Sequence, residues 1–261
     1  MNNKMKTIII SGANSGIGNE IANKLKNFNL IILFNTTPKN NFQDKFPNCI
    51  KAVKCDFTNL NETDFVINEV LTSYPEIYGY INVSGDIGET GPLEKTSLNS
   101  WTSITNLNFL APVIISNQLI EHFKKRGEGK FIYFGGGGSA YGYPVLPQYS
   151  ASKTALVRYV ENLELEVRDF NNIQSIVVAP GAVKTKMFKA VKNSEKEYGE
   201  TSKIRSFSKV EEVAIFVEYL LTNDFKKLSG RLIHLKDDWK KILNNNLEIE
   251  EDSFRLRRIQ I

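Results

Sequence analysis

The sequence contains few cysteines and histidines, and this scarcity excludes two kinds of architecture. Cys49 and Cys55 are the two cysteines among 261 residues, too few for the disulfide framework of a small secreted domain. Together with His122 and His234 they show no metal-ligand spacing, so no metal site is predicted. Both observations favour a reducing, cytoplasmic location.

Long hydrophobic runs are also lacking. No apolar stretch approaches the roughly 18 residues that a membrane-spanning helix needs. The polar start runs directly into a strand pattern at Thr7, which leaves no room for a signal peptide. The net charge of +4 is modest, and no basic block with interleaved aromatics occurs, so neither a membrane nor a nucleic acid is an expected partner.

Short apolar segments alternate with longer amphipathic ones along the whole chain, without internal repeats or a Pro/Ser-rich linker. The apolar segments are near-continuous, which is typical of strands in a parallel sheet covered on both faces. This alternation predicts one α/β domain with a doubly wound parallel sheet of about seven strands, and a ligand beyond their carboxyl ends. The predicted strands are Thr7–Ile10, Leu30–Phe34, Lys51–Cys55, Gly79–Val83, Lys130–Phe134, Gln174–Ala179 and Arg231–Leu235. The predicted helices include Thr63–Leu71, Trp101–Phe123, Ala151–Asp169 and Val210–Leu221.

A glycine-rich turn follows the first predicted strand. The segment Ser11–Gly18 has the sequence SGANSGIG and precedes a helix pattern with Ile17, Ile21 and Leu25 at helical spacing. Strand, glycine turn and helix are the context of a dinucleotide-phosphate site, because glycine lets the backbone approach the diphosphate and a helix start attracts its charge. A plain strand-to-helix connection is the alternative for this motif alone.

Tyr149 and Lys153 lie one helical turn apart, so the phenol and the ammonium share a helix face. A neighbouring ammonium favours the phenolate and is predicted to lower the tyrosine pKa from about 10 toward the working pH. A phenol tuned in this way can pass a proton to or from an alcohol or carbonyl oxygen. Such pairs also cover ordinary surfaces, but here both ends of the chain point to one chemistry.

The sequence resembles the short-chain dehydrogenase/reductase family over nearly its whole length. The shared features, in order, are Gly12/Gly16/Gly18, Asp56, Asn82-Val83-Ser84-Gly85, Asn108, Tyr149 with Lys153, Pro180-Gly181 and Thr185. The resemblance implies a single Rossmann-like domain over residues 1–261 that uses NAD(P) to act on CH–OH and C=O groups. It further implies a substrate lid at 184–209, a C-terminal extension at 236–261, and a homodimer or homotetramer.

The resemblance also implies cofactor contacts along the strand ends. Asp56 would accept a hydrogen bond from the adenine amino group, with a helix N-cap as the alternative role. Val183 and Thr185 would meet the nicotinamide carboxamide, with an N-capping threonine as the alternative. The full set of expected contacts is Gly12, Asn14, Ser15, Gly16, Ile17, Gly18, Asn35, Thr36, Asp56, Phe57, Asn82, Ser84, Gly85, Tyr149, Lys153, Pro180, Gly181, Val183 and Thr185.

The end of the second predicted strand bears on the choice between NADP and NAD. NAD sites usually carry an acid there for the ribose 2′-hydroxyl, and Leu33–Lys39 contains none. Asn35, Thr36, Thr37 and Lys39 offer donors and one positive charge, which favours NADP. The arginine common in NADP-preferring relatives is missing, so NAD remains the alternative.

The family tetrad of Asn, Ser, Tyr and Lys implies catalytic roles for three residues. Asn108 would hold a water in a proton relay through Lys153, and Tyr149 would be the acid/base. The family serine commonly lies thirteen residues before the tyrosine, a position that Gly136 occupies here. Losing one such hydrogen-bond donor typically costs about 10²–10³ in rate.

Three explanations of Gly136 are open. Ser139 could swing its hydroxyl into the position, a backbone N–H of Gly135–Gly138 could donate instead, or the protein binds a dinucleotide without efficient catalysis. Four glycines are entropically costly to order, so their backbone is expected to approach something closely. The glycine run, Leu228–Ile233 and Leu256–Ile259 are similar to a bacterial branch found with surface-polysaccharide genes, which implies a role in polysaccharide biosynthesis.

The segment 184–209 carries more basic than acidic side chains. It contains eight basic residues and three acidic ones, Glu195, Glu197 and Glu200, which leaves a surplus of five positive charges. A basic lid attracts anionic substrates such as sugar phosphates or nucleotide sugars, although a solvated helix face is the alternative. The basic residues are Lys184, Lys186, Lys189, Lys192, Lys196, Lys203, Arg205 and Lys209.

The predicted function is hydride transfer between NADP(H), or NAD(H), and a secondary alcohol or ketone, plausibly a sugar or nucleotide sugar. The alternative is a catalytically weak or silent dinucleotide-binding protein. A weaker third option is an epimerase or dehydratase that keeps its cofactor bound.

Overall fold

The computed structural model describes residues 5–14, 16–37, 41–201 and 207–258. Within these residues seven strands form one sheet in the order β3-β2-β1-β4-β5-β6-β7, and every neighbouring pair is parallel. The strands are β1 (Thr7–Ser11), β2 (Asn29–Phe34), β3 (Cys49–Lys54), β4 (Ile77–Asn82), β5 (Gly129–Phe134), β6 (Ile173–Ala179) and β7 (Arg231–His234). The predicted doubly wound sheet is confirmed, and each predicted strand matches within two residues at either end.

Helices cover both faces of this sheet. Ile8 and Ile10 belong to the core that also holds residues of the first and eighth helices, whereas Ile9 belongs to the opposite core. Successive side chains of a strand face opposite sides, so a strand covered on both faces is apolar at every position. The helices are α1 (Gly16–Lys24), α2 (Phe42–Lys45), α3 (Leu60–Ser73), α4 (Leu98–Thr105), α5 (Ala111–Arg126), α6 (Pro147–Val167), α7 (Lys186–Tyr198), α8 (Val210–Thr222) and α9 (Trp239–Leu243).

The strand order places a crevice beside β1. The sheet continues to β2 on one side of β1 and to β4 on the other, and ligands of doubly wound folds bind at this switch point. The turn after β1 and the chain after β4 therefore meet where the sequence predicts a dinucleotide.

The predicted helix Trp101–Phe123 is divided in the structure. A wider π-helical turn, Asn106–Leu110, separates α4 from α5. Pro112 has no N–H to donate to the carbonyl of Asn108, four residues earlier, so a regular helical ladder cannot continue there. Such widened turns are frequent at functional sites, and this one contains Asn108.

The chain after β7 returns along the edge of the sheet. The Phe254 carbonyl accepts a hydrogen bond from the Leu232 N–H at 2.9 Å, and the Leu256 N–H donates to the Glu161 carboxylate of α6 at 2.8 Å. The Arg231 guanidinium donates to three further carbonyls of this tail, those of Glu250, Glu251 and Ser253. The edge of β7 is therefore covered by the chain itself.

None of the helices in the described part of the chain has the length and apolar character that crossing a bilayer requires. In the same residues, no group of three or more His, Cys, Asp or Glu side chains is arranged to hold a metal ion.

Candidate active site

A cleft of about 1690 Å³ lies at the carboxyl ends of the strands. It exceeds the 300–1,000 Å³ that is usual for small-molecule pockets, so a dinucleotide and a substrate can lie in it together. Of the predicted cofactor residues, Gly18, Asp56 and Asn82 do not line this cleft, and Ser15 lies outside the described residues. Those that line it are Gly12, Asn14, Gly16, Ile17, Asn35, Thr36, Phe57, Ser84, Gly85, Tyr149, Lys153, Pro180, Gly181, Val183 and Thr185.

The glycine turn after β1 packs tightly against its neighbours. Gly12 has a φ of +82°, and a Cβ there would lie 2.7 Å from the Ser84 backbone nitrogen. A Cβ on Gly18 would lie 2.2 Å from the Gly12 carbonyl oxygen. Gly18 is therefore a packing glycine that brings α1 onto the turn, which is why it does not line the cleft. Gly16, with a φ of +56°, lines it directly.

Three polar side chains form a hydrogen-bonded cluster at the crevice beside β1. The Asn82 carbonyl oxygen accepts hydrogen bonds from the Ser11 and Ser84 hydroxyls, each at 2.9 Å. Those two hydroxyls lie 3.0 Å apart, and Asn82 is fully buried. Asn82 thus joins β1 to the chain after β4 without lining the cleft itself.

Asp56 forms a local turn at the end of β3. Its carboxylate accepts hydrogen bonds from the Thr58 N–H at 2.9 Å and the Thr58 hydroxyl at 2.8 Å. The N-cap of α3 is Asn59, whose side chain accepts from the Glu62 N–H, so the alternative role of Asp56 as N-cap is wrong. Phe57 lines the cleft beside it, while the adenine contact of Asp56 stays a prediction.

The end of β2 is connected to the glycine turn. The Asn14 side chain donates a hydrogen bond to the Thr36 carbonyl at 3.4 Å. Asn35 and Thr36 both line the cleft. Lys39, the cation of this segment, lies outside the described residues.

Asn108 and Lys153 meet over the backbone of Gly85. A Cβ on Gly85 would lie 3.2 Å from both Asn108 Oδ1 and Lys153 Nζ. Both side chains are buried, at 0% and 3% exposure. Asn108 accepts a hydrogen bond from the Asp86 N–H at 2.9 Å and donates to the Asp86 carbonyl and the Ser152 hydroxyl. These contacts fix the amide and bring two members of the predicted tetrad together.

Asn106, the rival candidate in the same turn, faces elsewhere. Its side chain donates a hydrogen bond to the Thr58 carbonyl at 2.8 Å. Neither asparagine lines the cleft itself, but Asn108 lies against Gly85, which does.

The pKa values of the tyrosine–lysine pair differ from the sequence prediction. Burial raises the pKa of Tyr149 to about 12 and lowers the pKa of Lys153 to about 8. The prediction that Lys153 lowers the Tyr149 pKa is therefore wrong for this structure, because loss of solvation dominates both groups. At neutral pH the phenol is neutral and carries its proton.

The structure does not bring Ser139 to the cleft. Its hydroxyl accepts a hydrogen bond from the Gly136 N–H at 3.0 Å, and the residue is fully buried. It is not among the lining residues. In this arrangement the hydroxyl closes the glycine turn on itself and does not replace the family serine, whose position Gly136 occupies.

The glycine run after β5 approaches side-chain oxygens closely, as the sequence predicts. A Cβ on three of the four glycines would lie within 3 Å of such an atom, whereas one on Gly137 would meet nothing within 4 Å. The three contacts are Gly135 with Ser139 Oγ (2.9 Å), Gly136 with Tyr149 Oη (2.7 Å) and Gly138 with Ser150 Oγ (2.6 Å). The run therefore lets the loop lie directly against the first turn of α6.

Thr185 has the capping role that the sequence left open, and its contact with the nicotinamide stays a prediction. Its hydroxyl accepts a hydrogen bond from the Phe188 N–H at 3.2 Å and caps α7. Its methyl group lies 3.5 Å from the position that a Cβ on Gly16 would take. The cap of the lid helix thus faces the glycine turn across the cleft.

Helix α7, within the predicted lid, contributes to an apolar wall next to Tyr149. Glu195 of this helix is 3% exposed, and its carboxylate accepts hydrogen bonds from the Tyr143 hydroxyl and the Lys192 ammonium. Lys203 and Arg205, two of the predicted lid cations, lie outside the described residues. The apolar wall consists of Ile87, Tyr143, Val145, Leu146, Tyr149, Val191 and Tyr198.

The C-terminal extension predicted at 236–261, which was expected to cover a pocket or a subunit contact, contributes to the cleft. Phe254, Arg255 and Leu256 line it, although they follow Tyr149 by about a hundred residues. Phe254 has a φ of +61°, which is unusual for a bulky residue. A hydrophobic residue in a charged tail was the one available signal, and it does not identify its destination.

Comparison with known proteins decides the family. A family model described as short chain dehydrogenase matches residues 6–196. The chain belongs to this family. The predicted class of enzyme, an NAD(P)-dependent short-chain dehydrogenase/reductase, is confirmed at that level.

Individual relatives of this short-chain dehydrogenase are moderately similar. A 3-oxoacyl-(acyl-carrier-protein) reductase of Buchnera aphidicola subsp. Baizongia pistaciae is 27% identical over 240 residues, covering 90% of this chain and 97% of the relative. The glucose 1-dehydrogenase 2 of Bacillus subtilis is 24% identical, with 86% and 91% covered. A variant of the actinorhodin polyketide ketoreductase with NADPH has a TM-score of 0.78 at 21% identity, with 88% and 95% covered.

Proposed function

We propose that this short-chain dehydrogenase uses NADP(H) to reduce a ketone to a secondary alcohol. The observation that carries the proposal is that Tyr149 and Lys153 line one cleft with the glycine turn after β1, while the buried Asn108 lies beside Gly85 next to Lys153. Burial raises the pKa of Tyr149 to about 12, so at neutral pH the phenol holds the proton that a carbonyl oxygen receives on reduction.

The cleft fits a dinucleotide. Gly12 and Gly16 present backbone at positive φ, and the start of α1 directs its N–H groups and dipole toward the same space. These residues would hold the diphosphate. A side chain on Gly85 would fill the space next to Lys153 Nζ, where the ribose of the nicotinamide would lie.

Asn35 and Thr36 would receive the 2′-phosphate at the end of β2. No carboxylate occurs between Leu33 and Lys39 to repel it, and both residues line the cleft. Val183 and Thr185, opposite the glycine turn, would orient the nicotinamide. Asp56 and Phe57 would bound the adenine.

Each of the chain's own groups has a defined task in the reaction. Bound NADPH supplies a hydride to the carbonyl carbon. As the C=O π electrons move to oxygen, the Tyr149 hydroxyl gives that oxygen its proton and becomes a phenolate. Lys153, an ammonium below a pH of about 8, would bind the ribose hydroxyls of the nicotinamide. Asn108, fixed by Asp86 and Ser152, holds a water that returns a proton.

Two observations bear on which class of ketone is the substrate. The wall beside Tyr149 is apolar, which favours a ketone with a hydrocarbon part next to the reacting group. A relative named glucose 1-dehydrogenase supports a sugar. The anionic substrate, the role in polysaccharide biosynthesis, the homodimer or homotetramer and the cytoplasmic location stay predictions, as does one domain with a lid at 184–209.

The catalytically silent alternative is not favoured. The relatives over nearly the full chain are named reductases and dehydrogenases, and three of the four tetrad positions are occupied by the family's residues. Gly136 alone separates this chain from the full tetrad, and the loop around it is ordered by specific contacts.

Replacement of Tyr149 by Phe tests the proposal. General acid catalysis contributes about 10²–10⁴-fold, so NADPH oxidation with a panel of ketones should fall by that factor while NADPH affinity, measured by fluorescence titration, stays unchanged. Tyr74→Phe, remote from the cleft at the end of α3, is the matched control. Full turnover in Tyr149→Phe would remove this residue from the reaction.

A further inference from the structure

The Tyr149 hydroxyl occupies the space that a side chain at position 136 would need. A Cβ on Gly136 would lie 2.7 Å from Tyr149 Oη and 3.6 Å from the ring carbon that bears it. Nonbonded carbon atoms pack at roughly 3.5–4.0 Å, so a contact with oxygen at 2.7 Å forces one partner to move. A serine, the family residue at this position, does not fit beside the tyrosine as it stands.

The loop side of this contact is held in place. The Gly135 N–H donates to the Val178 carbonyl of β6 at 2.9 Å, and the Ser139 N–H donates to the Gly136 carbonyl at 2.9 Å. The Ser139 hydroxyl accepts from the Gly136 N–H at 3.0 Å. Both backbone polar groups of Gly136 are therefore engaged, and the residue is tied to the sheet through Gly135.

The helix side is equally fixed. Tyr149 lies in the first turn of α6, a helix of 21 residues, and Ser150 lies against Gly138 in the same way. The Thr154 hydroxyl, one turn later, donates to the carbonyls of Gly138 and Ser139 at 3.2 and 3.3 Å. Because α6 and the loop are joined at several points, the Tyr149 backbone cannot move away from Gly136 without disturbing these contacts.

We propose that Gly136 is a positioning residue, whose missing side chain lets the Tyr149 hydroxyl sit directly on the loop backbone. This rests on the proposed function, in which Tyr149 donates the proton. Here glycine is required by the placement of the acid, so restoring the family serine impairs the reaction. The tyrosine carries the proton transfer without a neighbouring serine hydroxyl at position 136.

Comparison of Gly136→Ala with Gly136→Ser separates the effect of added volume from the effect of an added hydrogen-bonding group. Both variants add a Cβ in the same place, and only the serine also adds a hydroxyl. Displacement of a catalytic group by about 1 Å can lower the reaction rate 10²-fold. We therefore expect kcat for ketone reduction to fall about tenfold to a hundredfold in both variants. The KM and the NADPH affinity should stay within about twofold of the parent protein. Gly142→Ala, where a Cβ meets nothing within 4 Å, is the control in the same loop.

A second measurement does not depend on turnover. In protein with ¹³C-labelled tyrosine rings, the Tyr149 resonance, assigned with Tyr149→Phe, should shift and titrate differently in Gly136→Ala but not in Gly142→Ala. A Gly136→Ser variant as active as the parent, or an unmoved Tyr149 resonance in Gly136→Ala, overturns the proposal. Absence of hydride transfer in the parent protein refutes the proposed function instead, while the resonance still tests the placement.

Discussion

Tyr149 and Lys153 show how far single residues could be predicted. Their spacing on a helix was sufficient to pair them, because one helical turn is a local property of the chain. Their pKa values were not predictable, since the groups around them lie after β4, in the glycine run and on α7, outside the helix that carries the pair. Burial raises the pKa of Tyr149 and lowers the pKa of Lys153.

The pH dependence of the reaction follows from these shifts. Burial lowers the Lys153 pKa to about 8 and raises that of Tyr149 to about 12, so the ammonium is lost first as the pH rises. We expect kcat/KM for ketone reduction to be level below pH 8 and to fall about tenfold per pH unit above it. The profile should lose this limb in Lys153→Arg, since arginine stays charged. A limb that persists there must belong to another group.

Asn108 could be chosen from the sequence only through the family resemblance. Its selection over Asn106 depends on a widened turn that Pro112 helps to cause, and neither residue's environment is visible in a helical pattern. Ser139 shows the opposite outcome. Its hydroxyl was a plausible substitute on spacing, yet a local bond to the Gly136 N–H turns it away from the cleft.

At the scale of elements, the strands were predictable and the lid was not. Strands buried on both faces are apolar throughout, so their composition marks them. The charged face of α7 suggested attraction of anions, yet Lys192 pairs with the buried Glu195 of the same helix. Which lid charges face the cleft depends on tertiary contacts that a count of charges does not contain.

The contact between Tyr143 and Glu195 fastens α7 to the loop before α6, and its removal should loosen the lid. Hydrogen bonds to charged groups contribute about 1.5–3 kcal/mol, so Tyr143→Phe should raise the KM for the ketone about tenfold and speed hydrogen exchange in 186–198. Glu197→Gln, an exposed position of the same helix, is the control. Equal exchange in Tyr143→Phe and the parent protein would show that the contact does not restrain the lid.

At the scale of the whole molecule, the covered edge of β7 bears on assembly. Unpaired strand edges are templates for another chain, but the tail occupies this one through Phe254, and Arg231 binds three tail carbonyls. A second copy is therefore not expected to extend the sheet at β7. Any homo-oligomer is expected to form through helices, as the family resemblance implies for the α5 and α6 segments.

Removing the tail after Leu243, the end of α9, should expose this edge. We expect a melting temperature several degrees lower, since a loss of about 1 kcal/mol shifts it by roughly 2–4 °C in a protein of this size. We also expect larger species in size-exclusion chromatography with light scattering. Glu161→Gln, which weakens the Leu256 contact while leaving the tail in place, should give the smaller change. A truncated protein with unchanged melting temperature and mass would mean that the tail does not protect the edge.

The cluster of Ser11, Asn82 and Ser84 has a kinetic consequence. Its two hydroxyls and the amide oxygen bind one another without any ligand, whereas the buried amide nitrogen of Asn82 has no hydrogen-bond partner among the described residues. Because these bonds already join the turn after β1 to the chain after β4, we expect a dinucleotide to bind without prior rearrangement there, at an observed rate that rises linearly with concentration and without a plateau. Entry of the ketone would instead depend on opening of the predicted lid at 184–209, so we expect the dinucleotide to bind first.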